Sequence, residues 1–149
     1  MQLIGTALFW LGWPFHRLYL HNSTRTRPII LADGHILLVK NWISPNRWSL
    51  PGGGIRSGEQ PTQAAARELK EETTLVIEPA KFKQLFEGET HQYGLYYRYI
   101  CFLVELPQML PVKKRRIENT DIRWVAVKDL ANYHLMSDAN RAVQTWLKG

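Results

Sequence analysis

The chain is poor in the residues that crosslink or coordinate soft metals. Its single cysteine, Cys101, lies in an apolar run between Ile100 and Phe102, so an intramolecular disulfide is excluded. We interpret Cys101 as a core residue, and the cysteine usage is typical of a reducing, cytoplasmic location. The five histidines show no spacing that indicates a zinc site.

Long hydrophobic runs are also missing. The uncharged apolar stretch at the start, residues 3–15, is shorter than the roughly 20 residues of a membrane-spanning helix, and Pro14 interrupts it. A signal peptide would need a basic start and a small-residue cleavage site, and neither is evident. We therefore predict that residues 1–24 form an apolar arm or helix that packs on the domain or on a second subunit in a homodimer. Peripheral contact with a membrane surface is the alternative.

There is no internal repeat, low-complexity segment or Pro/Ser-rich linker, so the chain is expected to form one domain over residues 25–149. The hydrophobic content of 45% suits a single packed core. The net charge of +6 indicates anionic ligands, which include nucleotides, nucleic acid ends and acidic membranes. Charge alone does not choose among them.

The most informative stretch runs from Leu50 to Leu75, where a glycine-rich loop precedes a helical pattern. Glu68, Glu71 and Glu72 stand at i, i+3 and i+4, which places them on one narrow face of a helix. Like charges at this spacing repel each other, and a hard cation such as Mg²⁺ or Mn²⁺ would remove that cost. A solvated acidic face without a ligand is the alternative interpretation.

The loop favours the metal. Gly52, Gly53 and Gly54 let a ligand approach the main chain closely, and Gly58 forms a second turn. Pro61 suits the first turn of the helix that follows.

This stretch resembles the signature of the Nudix hydrolases. The matching positions are Gly53, Glu59, Arg67, Glu68, Leu69, Glu71, Glu72 and Leu75, while Thr74 stands where the signature has its last glycine. The resemblance implies an α/β fold, an α/β/α sandwich with a mixed β-sheet. It also implies a hydrolase that acts on a phosphoanhydride bond of a nucleoside diphosphate linked to another group, with Mg²⁺ or Mn²⁺ as cofactor.

The resemblance further implies roles for single residues. The implied metal ligands are Glu68, Glu71 and Glu72. The implied substrate and phosphate loop comprises Gly52, Gly53, Gly54 and Glu59. The candidate catalytic residues are Glu68, Arg67 and Glu118. Some Nudix enzymes take the general base from the signature and others from a later loop, for which Glu118 is the candidate, because it precedes Trp124 before the last strand as in many Nudix sequences. A solvated ion pair with Lys114 or Arg115 is the alternative role of Glu118.

The substrate is less well defined. Arg47 is a candidate for phosphate contact, and Tyr93 lies near the position of a tyrosine that marks the dinucleoside polyphosphate group. The basic run 113–116 lies in a stretch predicted to be a loop and suggests an alternative to a free nucleotide, the 5′ end of an RNA. A solvated loop without a ligand is the other interpretation of this run. A nucleotide-binding regulator without turnover is a further alternative.

The rest of the chain predicts strands and one more helix. The runs RPIILA and HILLVKN, separated by Asp33 and Gly34, predict a β-hairpin. Strands are also expected over residues 80–87, 95–106 and 121–127, with GETHQYG, residues 88–94, as a loop. Glu87 and Glu89, at the start of this loop, are weaker alternatives to Glu118 as the general base. Ser137 begins the last predicted helix.

Overall fold

The structure, a computed structural model, describes residues 23–92, 94–115 and 119–149. The predictions for the arm over residues 1–22, for Tyr93 and for Glu118 lie outside the described residues. Within the described part of the chain, no helix is long and apolar enough to cross a membrane.

The described residues form six strands and two α-helices, joined by short 3₁₀ segments at Pro79–Lys81 and Val127–Asn132. The strands are β1 (Thr24–Ala32), β2 (His35–Asn41), β3 (Trp48–Ser49), β4 (Lys83–Gln92), β5 (Leu95–Leu106) and β6 (Asn119–Ala126). The helices are α1 (Pro61–Thr73) and α2 (Ser137–Lys148).

The predicted hairpin is confirmed. Asp33 and Gly34 both have positive φ angles, 47° and 70°, as the tightest hairpin turns require. Strand β1 also pairs in parallel with β5, which pairs antiparallel with β4. Because β6 and β3 both pair antiparallel with β2, the strands form one mixed sheet.

The two strands of the hairpin separate soon after the turn. They pair only where Leu31 faces Ile36 and Ala32 faces His35. Farther from the turn, β2 pairs with β3, while β1 pairs with the glycine loop through a bridge between Arg25 and Gly54. The glycine loop therefore lies in the gap between β1 and β2.

Apolar side chains cover both faces of the sheet. On one face Ile30 and Leu37 pack with Leu69 of α1, and on the other Ile29 and Ile36 pack with the alanines and valine of α2. Strands buried on both faces read as continuous apolar runs, as IILA and ILLV do. The predicted α/β/α sandwich is confirmed, and so is the core position of Cys101, and Trp48 is buried as well.

The prediction for the fourth strand was wrong at both ends. Residues 80–81 belong to the 3₁₀ segment, and β4 continues to Gln92 through most of the predicted GETHQYG loop. In the sequence, Gly88 indicated a turn. In the structure it lies on β4, where a Cβ would lie 2.5 Å from the Tyr99 ring. The glycine makes room for a cross-strand tyrosine, and Glu87 and Glu89 lie on a strand instead of a loop.

Candidate active site

The glycine loop touches β1 and α1 so closely that two of its positions cannot carry a side chain. A Cβ on Gly52 would lie 2.2 Å from the carbonyl oxygen of Thr26, and the φ of Gly52 is +128°. A Cβ on Gly53 would lie 2.5 Å from the carboxyl carbon of Glu68. The N–H of Thr26 donates to the carbonyl oxygen of Gly53 at 2.8 Å, which fixes the loop to the strand.

Helix α1 begins and packs as its sequence predicts. Pro61 occupies the first turn, and the N–H of Gln60 donates to Oε1 of Gln63 at 3.2 Å. Ala65 and Leu69 are fully buried against the sheet. Burial of the leucine side chain alone contributes about 1.5–3 kcal/mol, so the apolar side of α1 holds the helix on the sheet.

The acidic side of α1 is more buried than its composition suggests. Glu68 is 5% exposed and Glu72 is 7% exposed, while Glu71 is half-buried. The N–H of Gly52 donates to Oε2 of Glu72 at 2.9 Å. A solvated acidic face is therefore wrong for Glu68 and Glu72, because the glycine loop covers their carboxylates.

Arg67 joins the helix to the loop. Its Nε donates to Oε1 of Glu59 at 2.7 Å, and its Nη1 donates to Oε1 of Glu68 at 2.7 Å. Its Nη2 donates to Oε2 of Glu59 at 2.9 Å and to the carbonyl oxygen of Gly54 at 3.0 Å. The i,i+4 ion pair of Arg67 with Glu71 is longer, at 3.6 Å. The guanidinium thus fixes Glu68 and the loop relative to each other.

The paired charges shift each other's pKa. The hydrogen bond from Arg67 lowers the pKa of Glu59 from 4.5 to about 2, with a smaller contribution from the N–H of Arg56. The hydrogen bond to Glu59, with that to Glu68, raises the pKa of Arg67. Glu59 is therefore ionised at neutral pH and acts as an anchor for Arg67 instead of a proton donor.

The end of α1 keeps the geometry that the signature glycine would provide. Thr74 has φ 70° and ψ −6°, the left-handed conformation of a helix cap, and its N–H donates to the carbonyl oxygen of Lys70. The helix therefore ends at the same point with a threonine, at some cost in backbone strain.

The donor set of α1 fits a hydrated Mg²⁺ or Mn²⁺. Both ions prefer carboxylate oxygens and bind through few of them, with water and phosphate oxygens as the other ligands. Among the described residues, no group of three or more His, Cys, Asp or Glu side chains is arranged so that it could hold a metal ion by itself. The residues Glu68, Glu71 and Glu72 instead form an open acidic edge beside the glycine loop, which suits an ion shared with a substrate.

Comparison with known proteins identifies the family. The family model of the NUDIX domain matches residues 22–147, most of the chain. The chain belongs to the Nudix family. The family that its sequence resembles is thus confirmed.

Relatives agree with this assignment. Phosphatase NudJ of Escherichia coli K12 is 28% identical over 103 residues, which span 68% of this chain and 67% of that protein. The MutT NUDIX hydrolase of Burkholderia pseudomallei superposes with a TM-score of 0.74 at 22% identity, over 84% of this chain and 98% of that one. The NUDIX domain of Shewanella oneidensis NrtR, solved with ADP ribose, gives 0.73 at 19% identity, over 85% and 87%. At these identities the structures show a common fold.

Not every residue predicted for the site lies in the Nudix signature. Arg47 is exposed on the segment before β3, where its N–H donates to the carbonyl oxygen of Ser44. Its role in phosphate contact stays a prediction, and so do the roles of Tyr93 and Glu118, which lie outside the described residues.

A buried group of charged residues lies outside the signature and was not predicted. Nε of Arg27 contacts Oδ2 of Asp138 at 2.6 Å, and the hydroxyl of Tyr97 donates to the same oxygen at 2.9 Å. Arg25 stacks on the Tyr97 ring. The sequence carried a signal for this buried group, because Arg25 and Arg27 alternate along β1 with the period of a strand and so share the face of the apolar, buried Ile29.

The basic segment after β5 lies against the end of α1. The N–H of Lys113 donates to the carbonyl oxygen of Thr73 at 3.2 Å, and that of Arg115 donates to the carbonyl oxygen of Glu72 at 3.3 Å. A groove of about 430 Å³ is lined there by Arg67, Lys70, Glu71 and Arg115. The segment predicted to be a loop thus brings positive charge next to the acidic edge.

Proposed function

We propose that this Nudix hydrolase cleaves the phosphoanhydride bond of a nucleoside diphosphate linked to another group, with Mg²⁺ or Mn²⁺ held by Glu68, Glu71 and Glu72. The observation that carries the proposal is the acidic edge of α1, which the glycine loop and Arg67 hold in one arrangement. The names of similar proteins support a nucleotide ligand, since they include an Ap4A hydrolase from C. elegans and the ADP-ribose complex of NrtR.

The residues of the chain divide the work between positioning and charge. Arg67 and Glu59 are positioning residues, because the guanidinium donors of Arg67 bond to Glu59, Glu68 and the carbonyl oxygen of Gly54. Glu72 supplies a carboxylate whose orientation is set by the N–H of Gly52. A divalent ion bound at this edge would neutralise charge on the phosphates and lower the pKa of a water molecule. Glu68 or Glu118 would accept the proton from that water.

A substrate with more negative charge is the second candidate. The groove beside Glu71 is lined by three cations, Arg67, Lys70 and Arg115. Such a groove favours an additional phosphate or the backbone at an RNA 5′ end, as the basic run predicts. For an RNA substrate, affinity would fall steeply as salt increases, whereas a small nucleotide would show a weaker dependence.

The first test is a hydrolysis screen of the full chain with Mg²⁺ and Mn²⁺, in which anion-exchange chromatography separates the nucleotide and phosphate products. The panel contains nucleoside triphosphates, dinucleoside polyphosphates, ADP-ribose, NDP-sugars and a 5′-triphosphorylated RNA. We expect Glu72→Gln to lower kcat on the order of 100-fold or more, because the amide keeps an oxygen acceptor for the N–H of Gly52 but loses the charge. Glu78→Gln, at an exposed glutamate beyond α1, is the matched control and should retain activity.

Two outcomes would count against the proposal. Full activity of Glu72→Gln on a substrate that the wild type cleaves would remove Glu72 from the metal site. Nucleotide binding without any metal-dependent product would favour a regulator that retains the fold. The arm's membrane contact, a homodimer and a cytoplasmic location stay predictions.

A further inference from the structure

The buried charges between β1 and α2 are not balanced. We call Arg25, Arg27, Tyr97 and Asp138 the paired-arginine cluster. The carboxylate of Asp138 is fully engaged, since Oδ2 accepts from Arg27 and Tyr97, and Oδ1 accepts from the N–H of Ala139 at 2.8 Å. Arg27 is also satisfied by the carbonyl oxygen of Thr26 at 3.0 Å. The carboxylate of Asp138 therefore pairs with Arg27 and not with Arg25.

Arg25 is the arginine left over. Its guanidinium carbon lies 5.3 Å from the centroid of the Tyr97 ring, and its Nε is buried without a hydrogen-bond partner among the described residues. Burial, followed by the positive charge of Arg27, lowers the pKa of Arg25. Arg25 is half-buried, and a buried Nε without an acceptor costs stability, so packing of the domain does not account for the position of Arg25.

The position of Arg25 ties it to the acidic edge of α1. Its backbone bridges to Gly54 in the glycine loop, and the N–H of the next residue, Thr26, donates to Gly53. The negative charge of Glu68 is close enough to Arg25 to raise the pKa of Arg25 slightly, against the lowering by burial. The surplus cation thus lies beside the loop in which the substrate phosphates are proposed to bind.

The stacking of Arg25 on the Tyr97 ring leaves the edge of the guanidinium available to bind an anion. A cation–π contact occupies the face of the guanidinium, while its N–H donors lie in the plane at the edge. A planar fork of this kind matches two oxygens of a phosphate. A phosphate would supply the negative charge and the acceptors that the cluster lacks.

We propose that Arg25 is a substrate-binding residue that contacts a phosphoryl oxygen of the substrate on the α2 side of the glycine loop. This inference rests on the proposed function, because the substrate is taken to be a phosphoanhydride. It adds a contact from β1, outside the signature, and predicts that affinity for phosphates depends on it.

The test measures binding without turnover. Isothermal titration calorimetry would follow imidodiphosphate, a non-hydrolysable analogue of pyrophosphate, with Mg²⁺ and the full chain as wild type, Arg25→Gln and Arg25→Met. We expect about 10- to 100-fold weaker binding by both variants, the effect of losing a charged hydrogen bond. Both should unfold at the same or higher urea concentration than wild type, because the surplus charge is gone.

Arg123→Gln is the matched control, since Arg123 also stacks on an aromatic ring, with its guanidinium carbon 5.2 Å from the Trp48 ring, but lies exposed on β6. Its affinity for imidodiphosphate should equal that of wild type. For a substrate found in the screen, Arg25→Met should raise KM more than it lowers kcat.

The outcomes separate this inference from the proposed function. If no substrate is cleaved but both Arg25 variants bind imidodiphosphate more weakly, Arg25 binds phosphate and the proposed reaction is wrong. If a substrate is cleaved and both variants keep wild-type affinity and KM, the reaction stands and the inference is overturned.

Discussion

The carboxylate of Glu68 fills the space that a side chain on Gly53 would need. This close approach explains why the signature requires glycine at a position with an ordinary φ angle, where backbone conformation alone would allow alanine. The restriction comes from the packing of the loop on α1 and not from the turn itself.

A pair of glycine substitutions tests this packing. Gly53→Ala should destabilise the protein by about 1–3 kcal/mol and displace Glu68, with loss of most activity, because the new Cβ overlaps the carboxylate. Gly54→Ala should change stability by less than about 0.5 kcal/mol, since a Cβ there has no heavy atom within 4 Å among the described residues. Urea unfolding and the activity screen measure both effects, and equal behaviour of the two variants would contradict the assignment.

Glu59 makes stability depend on pH. Its pKa is lowered to about 2 in the folded state from 4.5, so its contribution is fully present above about pH 4.5 and is lost as the pH falls towards 2. Because its side chain is 15% exposed, we expect Glu59→Gln to cost on the order of 1–2 kcal/mol at pH 7.

The measurement is urea unfolding of wild type and Glu59→Gln between pH 7 and pH 2. The difference in unfolding free energy should shrink as the pH approaches 2. A difference that stays constant over this range would show that Arg67 does not stabilise the ionised form of Glu59.

At the level of elements, the helix α1 shows how a local rule can be broken without changing the structure. Thr74 adopts a conformation that suits glycine, and the helix still ends there through the hydrogen bond to Lys70. Burial of Ala65 and Leu69 holds the helix in place, so the free energy gained by tertiary packing exceeds the cost of the strain at Thr74.

Restoring the glycine should release that strain. Thr74→Gly is expected to raise the free energy of unfolding by about 0.5–1 kcal/mol, because glycine adopts the left-handed conformation without a Cβ clash, which outweighs its extra entropy in the unfolded chain. Thr74→Ala keeps a Cβ and should gain less. Urea unfolding distinguishes the two, and equal stability of both variants would argue against strain at Thr74.

Strand β4 shows the limit of local signals. Gly88 and the polar residues around it read as a turn, yet they pair with β5 along the strand. The reason is the size of Tyr99, which needs the space that only a glycine on the neighbouring strand leaves. No window of the sequence around Gly88 contains that information.

At the level of the whole molecule, the pair of Arg27 and Asp138 joins residues 111 positions apart and ties β1 to α2. The side chains are 5% and 0% exposed. Loss of one partner leaves an uncompensated charge in the interior, which is far more costly than loss of an exposed pair.

Asp138→Ala should therefore lower the free energy of unfolding by about 3–5 kcal/mol. Asp121→Asn is the control, because its pair with Arg123 is exposed, and it should change stability by less than about 1 kcal/mol. Urea unfolding of both variants makes the comparison. A loss at Asp138 no larger than that at Asp121 would mean that the buried pair contributes little.

The sequence by itself determined the hairpin, the two helices, the sandwich class and the family, because each depends on short-range spacing. Continuous apolar runs and the Asp33-Gly34 turn specify β1 and β2, and helical spacing places Glu68, Glu71 and Glu72 on one face. Their roles in metal binding and catalysis stay predictions.

Only the tertiary structure decided which charges are buried and which residues meet. The carboxylate of Glu72 accepts a hydrogen bond from the N–H of Gly52, because the loop folds back over the helix. For the same reason Arg67 pairs more closely with Glu59 than with Glu71, although Glu71 is nearer in sequence. Asp138 meets Arg27 because α2 packs on the sheet face that carries it. Burial and pairing across the sheet depend on chain segments far apart, and spacing along the sequence does not encode such distances.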